Sequence, residues 1–175
     1  MSAPVILVTG SSRGIGAAIV EQLQARNCLV ICHASRPYDD DTIVANFNEP
    51  LGPQIVWDEA LERSPHGRID AVINNAGIFE ANPIAASDID WLDRWEDTLR
   101  INLTAAAQLS RYAVKHWLEH EQGGRLVHIA SRAGHRGDSP EHWHYAASKG
   151  GMLALHKTIA RGYALNGILS FAIAP

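Results

Sequence analysis

Cysteine is scarce in this chain, and the two that occur, Cys28 and Cys32, lie in one apolar run. If that run is a strand, both side chains point to the same face. Their separation along the strand is then too large for a disulfide bond. Because free cysteines are commonly buried, we expect two buried, reduced thiols without a redox role.

The chain also lacks an excess of basic residues and any long apolar stretch. Its 15 Lys and Arg residues are outnumbered by 19 Asp and Glu residues, and the formal net charge is −4. We expect no nucleic-acid partner, because such proteins carry a basic patch or stripe. No run reaches the roughly 20 apolar residues of a membrane span, and Val5–Val8 is too short for a signal peptide. By default, the expectation is a cytoplasmic protein with no membrane contact.

The 175 residues supply enough material for one sizeable core, and we expect a single domain over residues 1–175. Short β-rich runs alternate with longer helical patterns, which is typical of a parallel sheet with helical crossovers. Right-handed crossovers then predict a doubly wound, Rossmann-like α/β sheet with strand order 3-2-1-4-5-6. The strands are expected at residues 5–9, 28–33, 42–46, 69–74, 125–130 and 168–174.

Five helices are expected between these strands. The first follows the glycines, Pro53 opens the second, which ends near Ser64, and Ser87 or Asp88 caps the third. The last two are predicted at residues 104–121 and 145–165. Three tryptophans at helical spacing are interpreted as core or interface residues: Trp91, Trp95 and Trp117.

The connection between strands two and three is unusually short. Only residues 35–41 separate them, whereas parallel neighbours normally need a dozen residues or more to cross over. Either strand three is irregular, or that side of the sheet is reduced.

Residues 9–16 form a glycine-rich segment, Thr-Gly-Ser-Ser-Arg-Gly-Ile-Gly, between the first strand and the first helix. Glycine lets the backbone turn tightly and approach a pyrophosphate without a Cβ atom in the way. The helix N-terminus adds unpaired N–H groups and a partial positive charge. Taken alone, the segment is also compatible with a plain tight turn.

Tyr145 and Lys149 carry the strongest chemical signal. The four-residue step places both side chains on one helix face, one turn apart. A free tyrosine titrates near pH 10, and a neighbouring ammonium favours its charged form. Such a pair suits proton transfer near neutral pH, although the same spacing is common on exposed helices.

Together with Asn-Asn-Ala-Gly at residues 74–77, these two motifs resemble the short-chain dehydrogenase/reductase family over essentially the whole chain. The resemblance implies hydride transfer between a nicotinamide and a carbonyl or secondary alcohol. Tyr145 would be the proton donor, and Lys149 would bind the nicotinamide ribose. Ser131 would hold the substrate oxygen, and Asn102 would hold a water that links Lys149 to solvent.

The resemblance also implies which residues bind the cofactor. They are Thr9, Gly10, Ser12, Arg13, Gly14, Ile15, Gly16, Ser35, Arg36, Asn46, Asn75, Ala76, Gly77, Tyr145, Lys149 and Pro175.

The end of strand two favours NADP(H) over NAD(H). Ala34 stands where NAD-preferring relatives carry Asp, and Arg13 and Arg36 offer guanidinium groups suited to a 2′-phosphate. The alternative is that both arginines are solvated surface groups. Asn46 takes the place of the family's adenine-contacting Asp, so an amide would have to replace a carboxylate there.

The partner is expected to be a small carbonyl or alcohol substrate, with a homo-oligomer formed through the helices at 104–121 and 145–165. Small residues around Gly150 and Gly151 make the second of these helices slim, which indicates close packing. The sequence ends at Pro175, where relatives usually continue with a substrate-covering segment and a seventh strand. A non-catalytic NADP-binding or scaffold protein with the same fold therefore remains an alternative.

Histidines cluster before Tyr145, where His142 and His144 flank Trp143 and His135 lies upstream. Their spacing lacks the pattern of a zinc site, and hydride transfer of this type needs no Lewis acid. We therefore expect no metal and interpret these side chains as the mouth of the substrate pocket.

Overall fold

The computed structural model describes residues 3–175, which form one parallel sheet with helices on both faces. The strand order is β3-β2-β1-β4-β5-β6, which confirms the expected doubly wound arrangement. The strands span Val5–Thr9 (β1), Leu29–Ala34 (β2), Ile43–Val44 (β3), Ala71–Asn74 (β4), Gly124–Ile129 (β5) and Ile168–Ile173 (β6). All five residues of β1 are buried, as a central strand covered on both faces requires.

Six α-helices connect these strands. They span Gly14–Gln24 (α1), Gly52–Arg63 (α2), Asp88–Leu99 (α3), Ala105–Glu119 (α4), Ala133–Arg136 (α5) and Trp143–Tyr163 (α6). The core has a layer on each face of the sheet: α1 packs against Ile6 and Val8, whereas α2 and α4 pack against Leu7. In the described part of the chain, no helix has both the length and the apolar character that crossing a membrane requires.

The third strand differs from its expected bounds. Only Ile43 and Val44 pair with β2, in parallel, instead of the whole stretch 42–46. The described residues 35–42 between the two strands contain no helix. A link this short leaves room for only a brief parallel contact, so the irregular strand and the reduced side of the sheet occur together.

The two cysteines are free thiols, as expected, but the expectation that they are buried is wrong. Cys28 and Cys32 are both half-buried. Cys28 precedes β2 instead of belonging to it, because the strand begins at Leu29.

The third and fourth predicted helices are one continuous helical segment. Between α3 and α4 lies a π-helical turn, Arg100–Thr104, which contains the fully buried Asn102. Ser87 provides the expected cap of α3, with its Oγ accepting a hydrogen bond of 3.1 Å from the Asp90 N–H. Single π turns inside α-helices occur frequently at functional sites.

Close packing of α6 against neighbouring segments explains some of its small residues. A Cβ atom on Gly151 would lie 2.7 Å from Leu103 of the π turn. The short helix α5 approaches α6 equally closely. A Cβ atom on Gly134 would lie 2.7 Å from the backbone of Lys149. Gly150 itself has ordinary space, since its nearest such neighbour is 3.5 Å away.

The tryptophans occupy two different environments. Trp117 is fully buried in the core, where its Nε1–H donates to the Ile69 carbonyl at 2.7 Å. Trp91 and Trp95 are only partly buried and stack on each other. The core interpretation therefore holds for Trp117, whereas the other two lie at the surface beside the N-terminus of α6.

Candidate active site

The glycine segment makes two turns that favour glycine. Gly10 has a φ of +64° and Gly14 a φ of +56°, a region that side chains with a Cβ atom rarely adopt. A Cβ atom on Gly10 would also lie 2.8 Å from the Cα atom of Ala76. Among the described residues, no side chain caps the first turn of α1, so its N–H groups remain available to an anion.

Thr9 and Asn75 lock this segment to the end of β4. The Thr9 Oγ1 accepts hydrogen bonds of 3.0 Å from the N–H groups of Asn75 and Ala76. The Asn75 amide donates at 2.9 Å to the carbonyls of Thr9 and Gly10. Thr9 is 1% exposed, so it acts as a brace behind the cavity instead of lining it.

An open cavity of about 460 Å³ lies over this brace at the carboxyl ends of the strands. Most residues expected to bind the cofactor line this cavity, namely Gly10, Ser12, Arg13, Gly14, Ile15, Gly16, Ser35, Asn46, Asn75, Ala76 and Gly77. Arg36 is exposed and lies outside the lining. The free helix N–H groups and an arginine supply hydrogen-bond donors, and glycines without a Cβ atom leave room for a ligand to approach closely. This combination fits a dinucleotide pyrophosphate.

Two residues that line this cavity were not identified from the sequence. His33 and Phe47 stack with ring centroids 4.2 Å apart and planes 14° apart. The His33 Nε2 lies 3.0 Å from the Ala45 carbonyl, and its Nδ1 accepts from the Gly10 N–H at 3.3 Å. Burial lowers the pKa of His33 to about 4, so the ring is neutral. Their positions at the ends of β2 and β3 are a signal that could have identified both, because ligands of such sheets bind there.

A second cavity of about 200 Å³ continues from the first. The two share Ile15, Asn75, Gly77 and Ile78. Other residues that line the second cavity and were expected at the site are Ser131, Tyr145, Lys149 and Pro175. The structure thus brings the glycine segment and the Tyr-Lys pair to one continuous crevice.

Lys149 reaches into this second cavity from α6. Its Nζ donates to the Ile129 carbonyl at 2.8 Å and lies 5.7 Å from the ring centroid of Tyr145, so the two side chains point the same way. The side chain is 5% exposed, and burial lowers its pKa to about 8. An ammonium has three N–H donors, so two remain for other partners.

Asn102 lies directly behind the cavity. Its Oδ1 accepts from the Ile78 N–H at 2.8 Å, and its Nδ2 donates to the Ile78 carbonyl at 2.9 Å. A Cβ atom on Gly77 would lie 3.2 Å from Asn102 Oδ1 and 3.7 Å from Lys149 Nζ. Glycine at this position therefore allows the amide and the ammonium to come close together.

Ser131 follows β5 at the other side of the cavity. Its Oγ accepts a hydrogen bond of 3.1 Å from the Ala133 N–H at the start of α5. Since that bond uses only a lone pair, the hydroxyl proton remains free to donate to a substrate oxygen. The residue therefore combines a turn-capping role with a free donor.

Phe79 also lines the second cavity and was missed from the sequence. His142 stacks on it and thus lies beside the pocket mouth, as expected. His144, which was also expected there, is only 1% exposed and lies in the protein interior instead. A large aromatic residue directly after Asn-Asn-Ala-Gly-Ile was the available signal, because that segment leaves the central sheet at the crevice.

Comparison with known proteins gives a consistent result. The sequence model of the short chain dehydrogenase family matches residues 4–175. The chain is 30% identical over 184 residues to 3-oxoacyl-[acyl-carrier-protein] reductase FabG of Haemophilus influenzae, covering 100% of this chain and 74% of the relative. It is 32% identical over 182 residues to the Escherichia coli protein of that name, covering 98% and 72%.

Solved structures agree in fold. A 4-hydroxyisoleucine dehydrogenase complexed with NADH superposes with a TM-score of 0.85 at 27% identity, covering 98% of this chain and 74% of that one. A short-chain dehydrogenase from Streptomyces avermitilis superposes with a TM-score of 0.86 at 27% identity, covering 100% and 66%. The chain therefore belongs to the short-chain dehydrogenase family, and it is an oxidoreductase that acts on a CH–OH or C=O group with a nicotinamide cofactor.

Proposed function

We propose that this chain is an NADP(H)-dependent carbonyl reductase or alcohol dehydrogenase in which Tyr145 is the general acid and base. One observation supports this most directly: Ser131, Tyr145 and Lys149 line a cavity that continues into the crevice over the glycine segment. We also propose that residues 1–175 form a single dinucleotide-binding domain, which is supported by the one sheet that runs from β3 to β6.

Each of the four polar residues has a distinct part in the proposed reaction. When bound, the cofactor supplies a hydride to the substrate carbonyl carbon. Ser131 donates its free hydroxyl proton to the carbonyl oxygen, and Tyr145 transfers its proton to that oxygen as the alcohol forms. In the reverse direction, the phenolate of Tyr145 removes the alcohol proton. Asn102 would hold the water that links Lys149 to solvent, and its two hydrogen bonds position Ile78 at the cavity wall.

Lys149 supports Tyr145 through its charge. With a pKa of about 8, the amine is mostly protonated at pH 7 despite its burial. An ammonium on the phenol's side of the cavity favours the phenolate form. Of its three N–H donors, Ile129 takes one, and the others would hold the hydroxyls of the cofactor ribose.

The direct test is cofactor oxidation by the purified wild-type chain. Absorbance at the reduced nicotinamide band is followed with NADPH and a panel of small ketones and aldehydes. We expect turnover of several members, with a lower KM for NADPH than for NADH. NADPH binding without turnover of any panel member or of the corresponding alcohols would instead support a non-catalytic binding protein.

The preference for NADP(H) is proposed from the charges around the adenosine end of the first cavity. Arg13 and Ser35 line it, and Ala34 places no carboxylate at the end of β2. Arg36 lies in the adjacent exposed loop, from which its long side chain can reach a ligand. A guanidinium binds a phosphate through charge-assisted, often bidentate hydrogen bonds.

Replacing Arg13 with Gln is expected to weaken NADPH binding about tenfold, which corresponds to about 1.4 kcal/mol, and to leave NADH binding nearly unchanged. The difference arises because only NADPH carries the 2′-phosphate. Dissociation constants for both cofactors are measured by fluorescence titration. Ala34→Asp is the complementary variant, expected to favour NADH. Equal losses for both cofactors would show that Arg13 contacts the shared pyrophosphate instead.

We further propose a homo-oligomer through α4 and α6. These helices border a shallow surface cavity with apolar side chains that include Val114, Leu118 and Leu155. Leu118 is 39% exposed, so pairing would bury it. We expect light scattering at micromolar concentration to give at least twice the chain mass of 19.1 kDa and Leu118→Asp to lower it. A monomeric wild type would contradict this.

A further inference from the structure

A row of aromatic side chains leads away from Tyr145 along the rim of the second cavity. Phe79 lies edge-on to Tyr145, with ring centroids 4.7 Å apart. It lies flat against His142, with centroids 4.0 Å apart and planes 9° apart. Although His142 covers one face of the ring, Phe79 is still 57% exposed and lines the cavity. Much of the Phe79 side chain is therefore exposed beside the proposed acid.

Tryptophans extend this row outward. Trp143 follows His142 in the chain, is 53% exposed and lies edge-on to Trp91 with centroids 6.4 Å apart. Trp91 in turn stacks on Trp95 at 5.3 Å. Neighbouring exposed aromatic side chains beside a cavity are typical of a ligand-binding groove. Aromatic rings also provide large contact areas with preferred face and edge geometries.

Hydrogen bonds fix the two segments that carry these rings. The backbone N–H of Asn82 donates to the Glu141 carbonyl at 2.8 Å, which joins the loop after β4 to the loop before α6. The Asn82 amide donates to the Trp91 carbonyl at 2.9 Å. Ser139 Oγ lies 2.7 Å from His142 Nδ1, within hydrogen-bond distance. The rings therefore form a prearranged wall, which lowers the entropy cost of binding a ligand.

The charges around the wall do not favour an ionic ligand. Arg132 and Arg136 are balanced by Asp138 and Glu141 in the chain before α6. Glu80 on the loop after β4 is balanced by Arg94, whose guanidinium donates to the Ala81 carbonyl at 3.2 Å, so the formal sum is zero with the histidines neutral. Recognition of a carboxylate or phosphate normally uses a cluster of basic groups. The surroundings thus favour an uncharged ligand.

We propose that Phe79, His142 and Trp143 form a substrate-selecting wall and that it binds the uncharged aromatic arm of a carbonyl compound or of the corresponding secondary alcohol. The inference rests on the proposed function, because it places the carbonyl at Tyr145. The arm lies on the exposed part of Phe79 and extends toward Trp143. These three residues bind and orient the substrate, whereas the reacting atoms contact Tyr145 and Ser131.

The test uses two methyl ketones of similar intrinsic reactivity, 2-butanone and 4-phenyl-2-butanone, which differ only in a phenyl group two carbons from the carbonyl. We measure kcat and KM for both with NADPH. The wild type is expected to prefer the phenyl ketone at least about tenfold in kcat/KM, mostly through KM, because the ring adds binding energy away from the reacting carbon.

Phe79→Ala and Trp143→Ala are the test variants, and each is expected to lower this preference several-fold or more. Ile89→Ala is the matched control, because Ile89 is an apolar residue of α3 that is 75% exposed and outside the aromatic row. Ile89→Ala should keep the wild-type ratio. A ratio that is unchanged in Phe79→Ala and Trp143→Ala, or no wild-type preference for the phenyl ketone, overturns the proposal.

A binding measurement separates this proposal from the proposed function. Quenching of tryptophan fluorescence reports binding of 4-phenyl-2-butanone to the chain loaded with NADP⁺, which cannot reduce a ketone, so binding is measured independently of turnover. Binding that Phe79→Ala weakens at least about tenfold, without turnover of either ketone, of any panel member or of the corresponding alcohols, supports the wall and overturns the proposed function. If both ketones are turned over and neither Phe79→Ala nor Trp143→Ala changes the ratio of their kcat/KM values, the proposed function is supported and the wall is overturned. Absence of both binding and turnover overturns both.

Discussion

Replacing Tyr145 with Phe is expected to lower kcat about a thousandfold while changing the dissociation constant for NADPH by no more than about twofold. The substitution removes the hydroxyl proton, and positioned acid–base groups contribute about 10²- to 10⁴-fold to a rate. The remaining ring keeps its edge-on contact with Phe79, so the cavity retains its shape. Steady-state kinetics and a fluorescence titration with NADPH measure the two effects separately.

Tyr163→Phe is the matched control for this experiment, because it is the same change on the same helix. Tyr163 lies at the C-terminal end of α6, outside both crevice cavities. The kcat of Tyr163→Phe should equal that of the wild type. If Tyr145→Phe retained more than about a tenth of wild-type turnover, another group would have to be the proton donor.

Acidification from pH 6.5 to pH 4 is expected to remove about 5 kcal/mol from the free energy of unfolding through two buried histidines. Burial lowers the pKa of His33 and of His128 from 6.5 to about 4. Between these values the unfolded chain binds protons that the folded chain does not, so folding becomes less favourable as the pH falls. Each ring contributes about 2.5 kcal/mol over this range, whereas domains are stable by only about 5–15 kcal/mol.

The measurement is urea unfolding at several pH values between 4 and 7. His128→Leu removes one titrating ring, so its stability should fall less steeply with decreasing pH, by up to about 1.4 kcal/mol per pH unit. His66→Asn is the control, because His66 is exposed and its φ of +63° suits asparagine. If the slopes of wild type and His128→Leu coincide, His128 is not held neutral by burial.

Local motifs allowed much of the crevice to be predicted from the sequence. Tyr145 and Lys149 lie on one helix face because four residues make about one turn, so their common orientation follows from spacing alone. The glycine segment similarly indicated a tight turn, and the structure has positive φ angles at Gly10 and Gly14. Strand order follows from the alternation of elements and the handedness of crossovers.

Contacts between distant segments could not be obtained in this way. His33 and Phe47 meet because β3 runs parallel to β2, and that strand was the least regular part of the pattern. Phe79 and His142 meet because Asn82 joins two loops about 60 residues apart, as its hydrogen bond to Glu141 shows. No local periodicity contains this information, since each residue alone fits an ordinary loop.

The π turn at Arg100–Thr104 sets the rotational phase between the two halves of one long helix. Its hydrogen bonds span one residue more than those of an α-helix, and each residue of an α-helix turns the chain by about 100°. Removing one residue from this turn would swing the stripe Leu109, Ala113 and Trp117 away from the sheet or pull Asn102 away from Ile78. The core and the proposed catalytic crevice thus depend on the same extra residue, and a deletion there could not preserve one without losing the other.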